Sequence, residues 1–258
     1  MKVKLSLKMN NFNQYSEYYD LINTSKDYKS ESSYVLDVLN KYSEVQLKSI
    51  LELGSGTGNY SEYFCKKSIE VTGIELSKDM VNISLDKEIN GFYPIHGDIS
   101  IHKENKTFDA VISLFHVISY LTDNDSLINC FLNTNHHLVS GGIFLFDIWY
   151  TPAVLTQLPE TRIRRISSEN LNITRLAEPI VYSSKNIVEV NYEIWLKNNS
   201  NNELSIINEK HPMRHFSIPE IEMLAHFTGF ELLRVEEFLT GAEPSKETWG
   251  VCFILKKI

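Results

Sequence analysis

Cysteine is scarce in this chain of 258 residues, which contains only Cys65, Cys130 and Cys252. The three cysteines are widely spaced and odd in number, so they fit neither a disulfide framework nor a pair of metal-binding thiols. The histidines and carboxylates also lack the compact spacing of metal ligands. We therefore expect a reduced, cytoplasmic protein without a metal site.

Long apolar runs are absent as well. No stretch approaches the roughly 18 apolar residues that a membrane-spanning helix requires. The cationic start MKVKLSLK is followed by the polar run MNNFNQYSEYYD, whereas a signal peptide would continue with an apolar core and a small-residue cleavage site. We expect no signal peptide and no membrane partner.

Positive charge is in deficit, with 25 Lys and Arg against 33 Asp and Glu and a net charge of -8. The chain therefore lacks the broad basic surface with which proteins usually neutralise nucleic-acid phosphates, and a nucleic-acid partner is disfavoured. The one local cluster of positive charge that favours phosphate binding is the short run Arg162, Arg164 and Arg165. The length and the 43% hydrophobic content suit one α/β domain with an insertion or cap.

Between residues 49 and 149, short apolar runs alternate with amphipathic stretches, which is typical of βα units around a parallel sheet. The predicted strands are SILELG, IEVTGIEL, FYPIHGD, FDAVISLF and GIFLFDIW. The predicted helices between them are NYSEYFCKK, SKDMVNISLDKE and NDSLINCFLNTNHHL. We expect Ser77 and Asn124 to cap the last two helices, and Gly141 and Gly142 to end the fourth unit before the fifth strand.

Together with the flanking segments, this pattern predicts four parts along the chain. Residues 1–30 form a lid segment, 31–150 an α/β core that begins with the helix SSYVLDVLNKYSEVQL, and 151–216 an antiparallel insertion that caps the substrate. Residues 217–258 complete the core sheet with a helix, for which Ser217 is a cap and Pro219 lies in the first turn, followed by the strands ELLRVEEF and GVCFILKK.

A glycine-rich loop, Gly54-Ser55-Gly56-Thr57-Gly58, leaves the first strand and enters the first helix. Without Cβ atoms, the backbone of such a loop can approach a ligand closely. The spacing G-x-G-x-G differs from the G-x-G-x-x-G of dinucleotide-binding folds, because Asn59 stands where the third glycine would be. The loop therefore favours a ligand other than NAD, and a tight turn without a ligand is the alternative.

Two acidic residues follow the next strands. Glu75 ends the second strand about twenty residues beyond the loop, where a carboxylate can accept hydrogen bonds from both ribose hydroxyls and repels a 2′-phosphate. Asp98 follows His96-Gly97 at the end of the third strand and can accept from an adenine amino group. Taken alone, this Gly-Asp pair is equally consistent with an ordinary turn.

In this order, LELGSGTG, GIELS, HGD and FDAVISLF resemble the successive motifs of class I S-adenosylmethionine (SAM)-dependent methyltransferases. The resemblance implies a seven-stranded, mostly parallel sheet with helices on both faces, SAM as methyl donor and S-adenosylhomocysteine as product. It places the glycine loop against the methionine part of SAM, Glu75 on the ribose and Asp98 on the adenine. The implied cofactor-binding residues are Tyr19, Tyr28, Glu52, Gly54, Ser55, Gly56, Gly58, Glu75, Leu76, Met80, Asp98, Ile99, Leu114 and Phe115.

The YYD element at Tyr18 to Asp20, the Asp27-Tyr28 pair and the antiparallel insertion are similar to nucleotide-sugar amino N-methyltransferases. In that resemblance, Tyr19 and Tyr28 close over SAM. The segment FHVISYL differs from those enzymes, in which we expect small residues at its middle positions. Methylation of oxygen and of nitrogen both remain open.

His116, just beyond the fourth strand, is the predicted catalytic residue, because a histidine can deprotonate an acceptor near neutral pH. The alternatives are a histidine packed against Ile118 and Tyr120, or one that forms a wall of the SAM pocket. Asp147 and Trp149 end the fifth strand and can bind or stack a sugar or nucleotide, although an aromatic core is as consistent with the pattern. The further predicted substrate residues are Tyr120, His211 and Arg214, of which the last two also suit an exposed polar turn.

The leading hypothesis is a SAM-dependent methyltransferase that acts on a hydroxyl or amine of a small molecule, above all a sugar or nucleotide-sugar. A methyltransferase of the same fold acting on protein or nucleic acid is an alternative, although no Asp/Asn-Pro-Pro-aromatic run follows the fourth strand. A non-catalytic SAM-binding protein and a dehydrogenase are the others. We expect a monomer or a homodimer.

Overall fold

The computed structural model describes residues 3–5 and 16–258. Much of the predicted lid segment, 1–30, therefore lies outside the described residues. The strands are β1 Val3–Leu5, β2 Ser49–Leu53, β3 Glu70–Glu75, β4 Phe92–His96, β5 Phe108–Ser113, β6 Leu138–Trp149, β7 Arg162–Ser167, β8 Leu171–Tyr182, β9 Ile187–Asn198, β10 Leu204–Arg214, β11 Phe230–Glu237 and β12 Gly250–Lys257. The α-helices are α1 Ser16–Ile22, α2 Tyr28–Tyr42, α3 Asn59–Cys65, α4 Lys78–Asp86, α5 Asn124–His137, α6 Thr151–Thr156 and α7 Ile218–Phe227, and a 3₁₀ turn spans Val117–Tyr120.

Within the described residues, seven strands form the larger sheet in the order β11-β12-β6-β5-β2-β3-β4. The five strands from β6 to β4 are parallel, and β12 runs antiparallel to both of its neighbours. This confirms the predicted mostly parallel sheet. The strand order reverses between β5 and β2, and ligands of open α/β sheets bind at such a switch point, outside the carboxyl ends of the strands.

Helices cover both faces of this sheet. On one face, Val35 and Leu39 of α2 and Phe64 of α3 pack in a single buried cluster with sheet residues such as Ile50. On the other face, a cluster that includes Phe131 of α5 packs against the sheet with the aromatic residues Phe144, Phe146 and Phe253. Because both faces are buried, the central strands are apolar nearly throughout.

A second sheet of the described residues has the order β1-β10-β9-β8-β7, antiparallel except for β1, which runs parallel to β10. The predicted run RIRRISSENLNITRLAE forms two strands, because a turn at Ser168 reverses the chain between β7 and β8. Ile22 of α1 packs on this sheet against Ile173, Ile194 and Leu196. The N-terminal helix thus contacts the insertion.

Helix starts show where the sequence prediction was wrong. Ser77 caps α4 as predicted, with its hydroxyl accepting from the Met80 N–H. Asp123, and not Asn124, caps α5, because its carboxylate accepts from the Ser126 N–H. Ser217 occupies the cap position of α7 without a capping hydrogen bond from its side chain.

The prediction that Gly141 and Gly142 end the fourth unit before the fifth strand was wrong. Strand β6 begins earlier, at Leu138, and runs through both glycines, opposite a register shift in β5 between Phe108 and Ala110. Gly141 has a φ of 74°, a conformation that glycine adopts without a steric penalty, so the pair forms a bulge inside the strand.

The helix before the sheet also begins earlier than predicted, at Tyr28, because Asp27 caps it through the Ser30 N–H. It ends at Tyr42. In the described part of the chain, no helix has the length and apolar character needed to cross a membrane.

Candidate active site

The parallel strands place most of the predicted site residues at one edge of the large sheet. The glycine loop follows β2, Glu75 ends β3, Asp98 follows β4, His116 follows β5 and Asp147 lies near the end of β6. Since these strands are parallel neighbours, their carboxyl ends meet at the switch point. The side chains that the motifs singled out are therefore neighbours in the fold.

The glycine loop adopts a conformation that side chains would obstruct. Gly54, Gly56 and Gly58 have φ values of 73°, 55° and 80°, in the left-handed region that favours glycine. A Cβ on Gly54 would lie 2.5 Å from Val117, whereas a Cβ on Gly56 would meet only the Met80 sulfur, at 3.9 Å. The loop thus packs directly against the segment that follows β5.

We expect Gly54→Ala to destabilise the ligand-free protein more than Gly56→Ala. Both changes force an alanine into positive φ, at about 1–2 kcal/mol each. Only the first also drives a methyl group into Val117, and overpacking of this kind costs about 1–3 kcal/mol more. Urea unfolding measures the difference. Equal losses in the two variants would show that Val117 moves aside freely.

Glu75 ties this loop to the start of α4. Its side chain is buried, and the backbone N–H groups of Gly56 and Ser77 donate to its two carboxylate oxygens at 2.9 and 2.7 Å. Burial raises the pKa of the Glu75 carboxyl, while these backbone donors act in the opposite direction. Each carboxylate oxygen has a further lone pair, which suits the pair of hydroxyls on a ribose.

Glu52 lies on β2 and is buried. The Ser61 hydroxyl of α3 donates to its carboxylate, but burial outweighs this hydrogen bond and raises the pKa of Glu52 to about 8. Near neutral pH, the folded protein therefore holds Glu52 mostly protonated. The predicted contact of Glu52 with the cofactor stays a proposal.

This raised pKa predicts how stability varies with pH. Between the ordinary pKa of 4.5 and about 8, the unfolded chain has released the proton that the folded chain keeps, so stability falls as pH rises. The slope from this group is at most about 1.4 kcal/mol per pH unit. Glu52→Gln keeps an acceptor for Ser61. We expect its free energy of unfolding, relative to that of the wild type, to increase as pH rises through this range. Urea unfolding from about pH 5 to about pH 8 tests this. The same pH dependence of the unfolding free energy in variant and wild type would contradict it.

An apolar surface adjoins Glu75 on the side predicted for adenine. Leu76 is 68% exposed, although its neighbours Met80 and Ile99 are buried. Asp98 accepts hydrogen bonds from the backbone and the hydroxyl of Ser100, at 2.8 and 2.7 Å, which fixes the turn after β4. An exposed leucine beside a fixed carboxylate suits an apolar ring with a polar edge.

A cation is already seated among aromatic rings at this edge of the sheet. The Lys26 ammonium lies 4.0 Å from the ring centre of Phe115 and 5.7 and 5.6 Å from those of Tyr28 and Tyr60. The Glu31 carboxylate pairs with it at 2.8 Å and also accepts from the Tyr60 hydroxyl. Because aromatic faces and a carboxylate attract positive charge, these side chains form a cation cage that the Lys26 ammonium itself fills.

The predicted lid tyrosines divide between two places. Tyr28 lines the cage, with its ring 5.0 Å from that of Tyr60 in an edge-to-face arrangement. Tyr19 packs in the apolar cluster under the insertion sheet. Its neighbour Asp20 accepts from the side chains of Thr57 and Asn59, at 2.6 and 2.8 Å, so helix α1 is anchored to the glycine loop.

His116 and Asp147 form a pair at the ends of β5 and β6. The Asp147 carboxylate, which is buried, lies 2.8 Å from His116 Nδ1 and accepts from the His116 backbone N–H at 3.1 Å. Burial alone would raise the pKa of Asp147, but the contacts with His116 outweigh it and lower that pKa below its ordinary value. The Trp149 ring packs 6.1 Å from the imidazole.

The backbone around this pair is strained. Phe115 and His116 follow the buried Leu114 and have φ values of 64° and 62°, although neither is a glycine. Strain of this kind costs about 1–3 kcal/mol per residue and persists only where the surroundings enforce it. The His116 backbone N–H donates to Asp147, and the ring Nδ1 lies close to the same carboxylate, so Asp147 helps to maintain this conformation.

The remaining predicted substrate residues lie where the insertion meets the core. The Tyr120 hydroxyl contacts His211 Nδ1 at 2.8 Å. The Arg214 guanidinium pairs with Glu220 of α7 and donates to the Asn124 side chain at 2.8 Å, so these contacts join β10 to two helices. The sequence patterns missed Lys26, Glu31 and Tyr60 of the cage, and also Glu209, which contacts His211.

Comparisons with known proteins agree with this geometry. Residues 50–142 match a family model described as a methyltransferase domain. The dTDP-3-amino-3,4,6-trideoxy-alpha-D-glucopyranose N,N-dimethyltransferase of Streptomyces venezuelae is 24% identical over 242 residues, which cover 90% of this chain and 94% of that protein.

Solved structures share the fold. An S-adenosylmethionine-dependent methyltransferase from Clostridium acetobutylicum superposes with a TM-score of 0.81 at 22% identity, over 96% of this chain and 99% of its own. The sugar N-methyltransferase KedS8 from Streptoalloteichus superposes with a TM-score of 0.83 at 18% identity, over 98% and 97%. The ordered motifs, the switch-point site and the match of residues 50–142 lead to one conclusion: the chain contains a methyltransferase domain and has the fold of SAM-dependent methyltransferases.

Proposed function

We propose that this protein transfers the methyl group of SAM to an amine or hydroxyl of a nucleotide-linked sugar. The observation that supports this acceptor class best is the extent of the likeness to the Streptomyces venezuelae enzyme. It covers 90% of the chain and therefore reaches beyond the methyltransferase domain at 50–142 into the insertion. The insertion contacts the turn that follows β5, where His211 Nδ1 lies 2.8 Å from the Tyr120 hydroxyl.

For SAM, we propose that the glycine loop holds the methionine part, Glu75 the ribose, and Asp98 with Leu76 the adenine. Bound SAM supplies an electrophilic methyl group on a sulfonium. The protein's part is then to align the acceptor and exclude water, because the methyl group is already activated.

His116 is our proposed base. Its Nδ1 faces the Asp147 carboxylate, so the neutral ring carries its hydrogen there and presents the lone pair of Nε2. An N–H or O–H proton of the acceptor passes to Nε2, and Asp147 then stabilises the imidazolium. An amine must lose its ammonium proton before it attacks, and a hydroxyl gains nucleophilicity as its proton is withdrawn. One residue pair thus serves both acceptor types.

The acceptor class is tested with purified protein, SAM and a panel of compounds, with S-adenosylhomocysteine formation as the readout. The panel contains dTDP-amino sugars, their hydroxyl analogues, the free sugars, simple amines, a peptide mixture and an oligonucleotide. We expect turnover with nucleotide-linked sugars and far less with the free sugars. Turnover confined to another class would overturn the sugar proposal while leaving the methyltransferase assignment intact.

A further inference from the structure

The basic run of the insertion divides between the two faces of its sheet. Arg162 and Arg164 are two positions apart on β7, so their side chains leave the same face, whereas Arg165 leaves the other. Arg164 is half-buried, while Arg165 is exposed. We call Arg162 and Arg164 the β7 arginine pair. The run that appears as one cluster in the sequence therefore belongs to two separate surfaces.

The face that carries the β7 arginine pair is turned toward the N-terminal helix. Ile166, two positions beyond Arg164 on this face, packs in the cluster around Ile22 of α1. The Arg164 guanidinium donates to the Ser25 hydroxyl at 2.6 Å. Ile22 and Ser25 both lie where α1 leads into α2, so the pair stands beside this connection.

The same connection reaches the edge of the large sheet where methyl transfer is proposed. Lys26 follows Ser25, and its ammonium lies 4.0 Å from the ring centre of Phe115. Phe115 directly precedes His116, the proposed base. One step along the chain thus separates the residue that contacts Arg164 from the residue that contacts the loop after β5.

The charge of the β7 arginine pair is not balanced by its surroundings. Across the sheet, Arg162 is opposite Ala177 and Arg164 is opposite Arg175, so neither has a carboxylate directly opposite. Ser25 is an uncharged partner and takes one of the five N–H donors of a guanidinium. Among the described side chains, no carboxylate forms an ion pair with either arginine. The pair can therefore receive an anionic group.

We propose that Arg162 and Arg164 bind the diphosphate of a nucleotide-linked acceptor whose sugar extends toward the ends of β5 and β6. The inference rests on the proposed function and names the residues that distinguish a nucleotide-linked sugar from a free one. The planar guanidinium fork matches phosphate oxygens and binds them through paired hydrogen bonds. One sugar ring separates the diphosphate of such a compound from its reacting group, so the insertion holds the charge while the core transfers the methyl group.

A binding experiment tests the pair without any turnover. Calorimetry measures the Kd of dTDP for the wild type and for variants in which glutamine replaces one arginine. We expect the Kd to rise about tenfold in Arg162→Gln and in Arg164→Gln, and further in the double variant, because each change removes a charge-assisted contact. Arg165→Gln makes the same chemical change on the opposite face of the same strand. This matched control is expected to bind dTDP as the wild type does.

Kinetics show where the contact acts in the reaction. For a nucleotide-linked sugar, we expect KM to rise about tenfold in Arg164→Gln, with kcat and the Kd for SAM nearly unchanged, because the diphosphate takes no part in the chemical step. The KM for the free sugar stays at the wild-type value. Urea unfolding of the same variants checks that the insertion sheet is intact, since the glutamine side chain still reaches toward Ser25.

The inference is overturned if the wild type does not bind dTDP, or if Arg162→Gln and Arg164→Gln bind it as tightly as the wild type. It is also overturned if Arg165→Gln weakens binding equally, since all three arginines would then form a diffuse basic surface, such as one for an oligonucleotide. Inorganic pyrophosphate that binds the pair while dTDP does not would exclude a nucleotide-linked ligand.

The proposed function fails by a different observation. If dTDP binding depends on the β7 arginine pair but no nucleotide-linked sugar is methylated, the sugar proposal is refuted and the diphosphate site stands. If nucleotide-linked sugars are methylated with the same KM in the wild type and in both variants, the sugar proposal stands and the diphosphate site is refuted.

Discussion

Replacing Asp147 with asparagine is expected to lower kcat about 100-fold while leaving the Kd for SAM nearly unchanged. The side chain keeps its shape, but a neutral amide neither stabilises an imidazolium nor favours the ring hydrogen at Nδ1 of His116. His116→Asn is expected to cause a similar loss, and the double variant hardly more than either single one, because the two residues act as a unit. Single-turnover rates at saturating SAM provide the measurement.

The pH dependence of stability provides a second test of the Asp147 variant. Because the pKa of Asp147 is lowered in the folded protein, the pair contributes stability above the ordinary carboxyl pKa of 3.8 and loses it as pH falls through the folded value. The stability advantage of the wild type over Asp147→Asn therefore narrows as pH falls below the ordinary carboxyl range. Asp125→Asn, at an exposed position of α5, serves as control for both measurements. Full activity in Asp147→Asn would remove His116 as the base.

Replacing Glu75 with alanine is expected to weaken SAM and S-adenosylhomocysteine binding about 100-fold or more. The change removes an acceptor for ribose hydroxyls and leaves the backbone N–H groups of Gly56 and Ser77 without their partner. The lost donors lower stability, whereas the loss of binding comes from the ribose: a hydrogen bond to a charged group contributes about 1.5–3 kcal/mol, and every 1.4 kcal/mol is tenfold in Kd. Calorimetric titration with S-adenosylhomocysteine measures the loss directly.

Glu70 offers a matched control for this experiment. It is an exposed glutamate at the other end of the same strand, β3, so Glu70→Ala makes the same chemical change away from the switch point. We expect the Kd of Glu70→Ala for S-adenosylhomocysteine to equal that of the wild type. Similar Kd values for Glu75→Ala and Glu70→Ala would contradict the assignment of Glu75 to the ribose.

The sequence alone predicts the parallel sheet and its cofactor edge because these depend on local patterns. Strand runs buried on both faces are apolar, and the glycine loop and Glu75 stand at fixed distances along the chain. The boundaries of helices and strands depend on tertiary contacts that the sequence pattern does not contain. Asp123 outcompetes Asn124 as the cap because its backbone is extended, and Gly141 forms a bulge because β5 shifts register opposite it.

The acceptor side could not be derived in the same way. Tyr120 and His211 are 91 positions apart, and only the packing of the insertion sheet on the core brings them together. Lys26 and Glu31 lie on a loop and the following helix, without the i, i+4 spacing that marks a helical ion pair. Tertiary geometry, rather than a motif, assembles this half of the site.

We propose that the chain methylates a nucleotide-linked sugar at its switch-point site. The most direct measurement incubates the protein with SAM that carries a trideuterated methyl group, together with a dTDP-amino sugar and its free sugar. Mass spectrometry of the products then locates the label. We expect a trideuterated methyl group on the nitrogen of the nucleotide-linked sugar, formed about 100-fold more slowly when Asp147→Asn replaces the wild type. Label found only on the free sugar, or on no sugar while another class of compound is labelled, would contradict it.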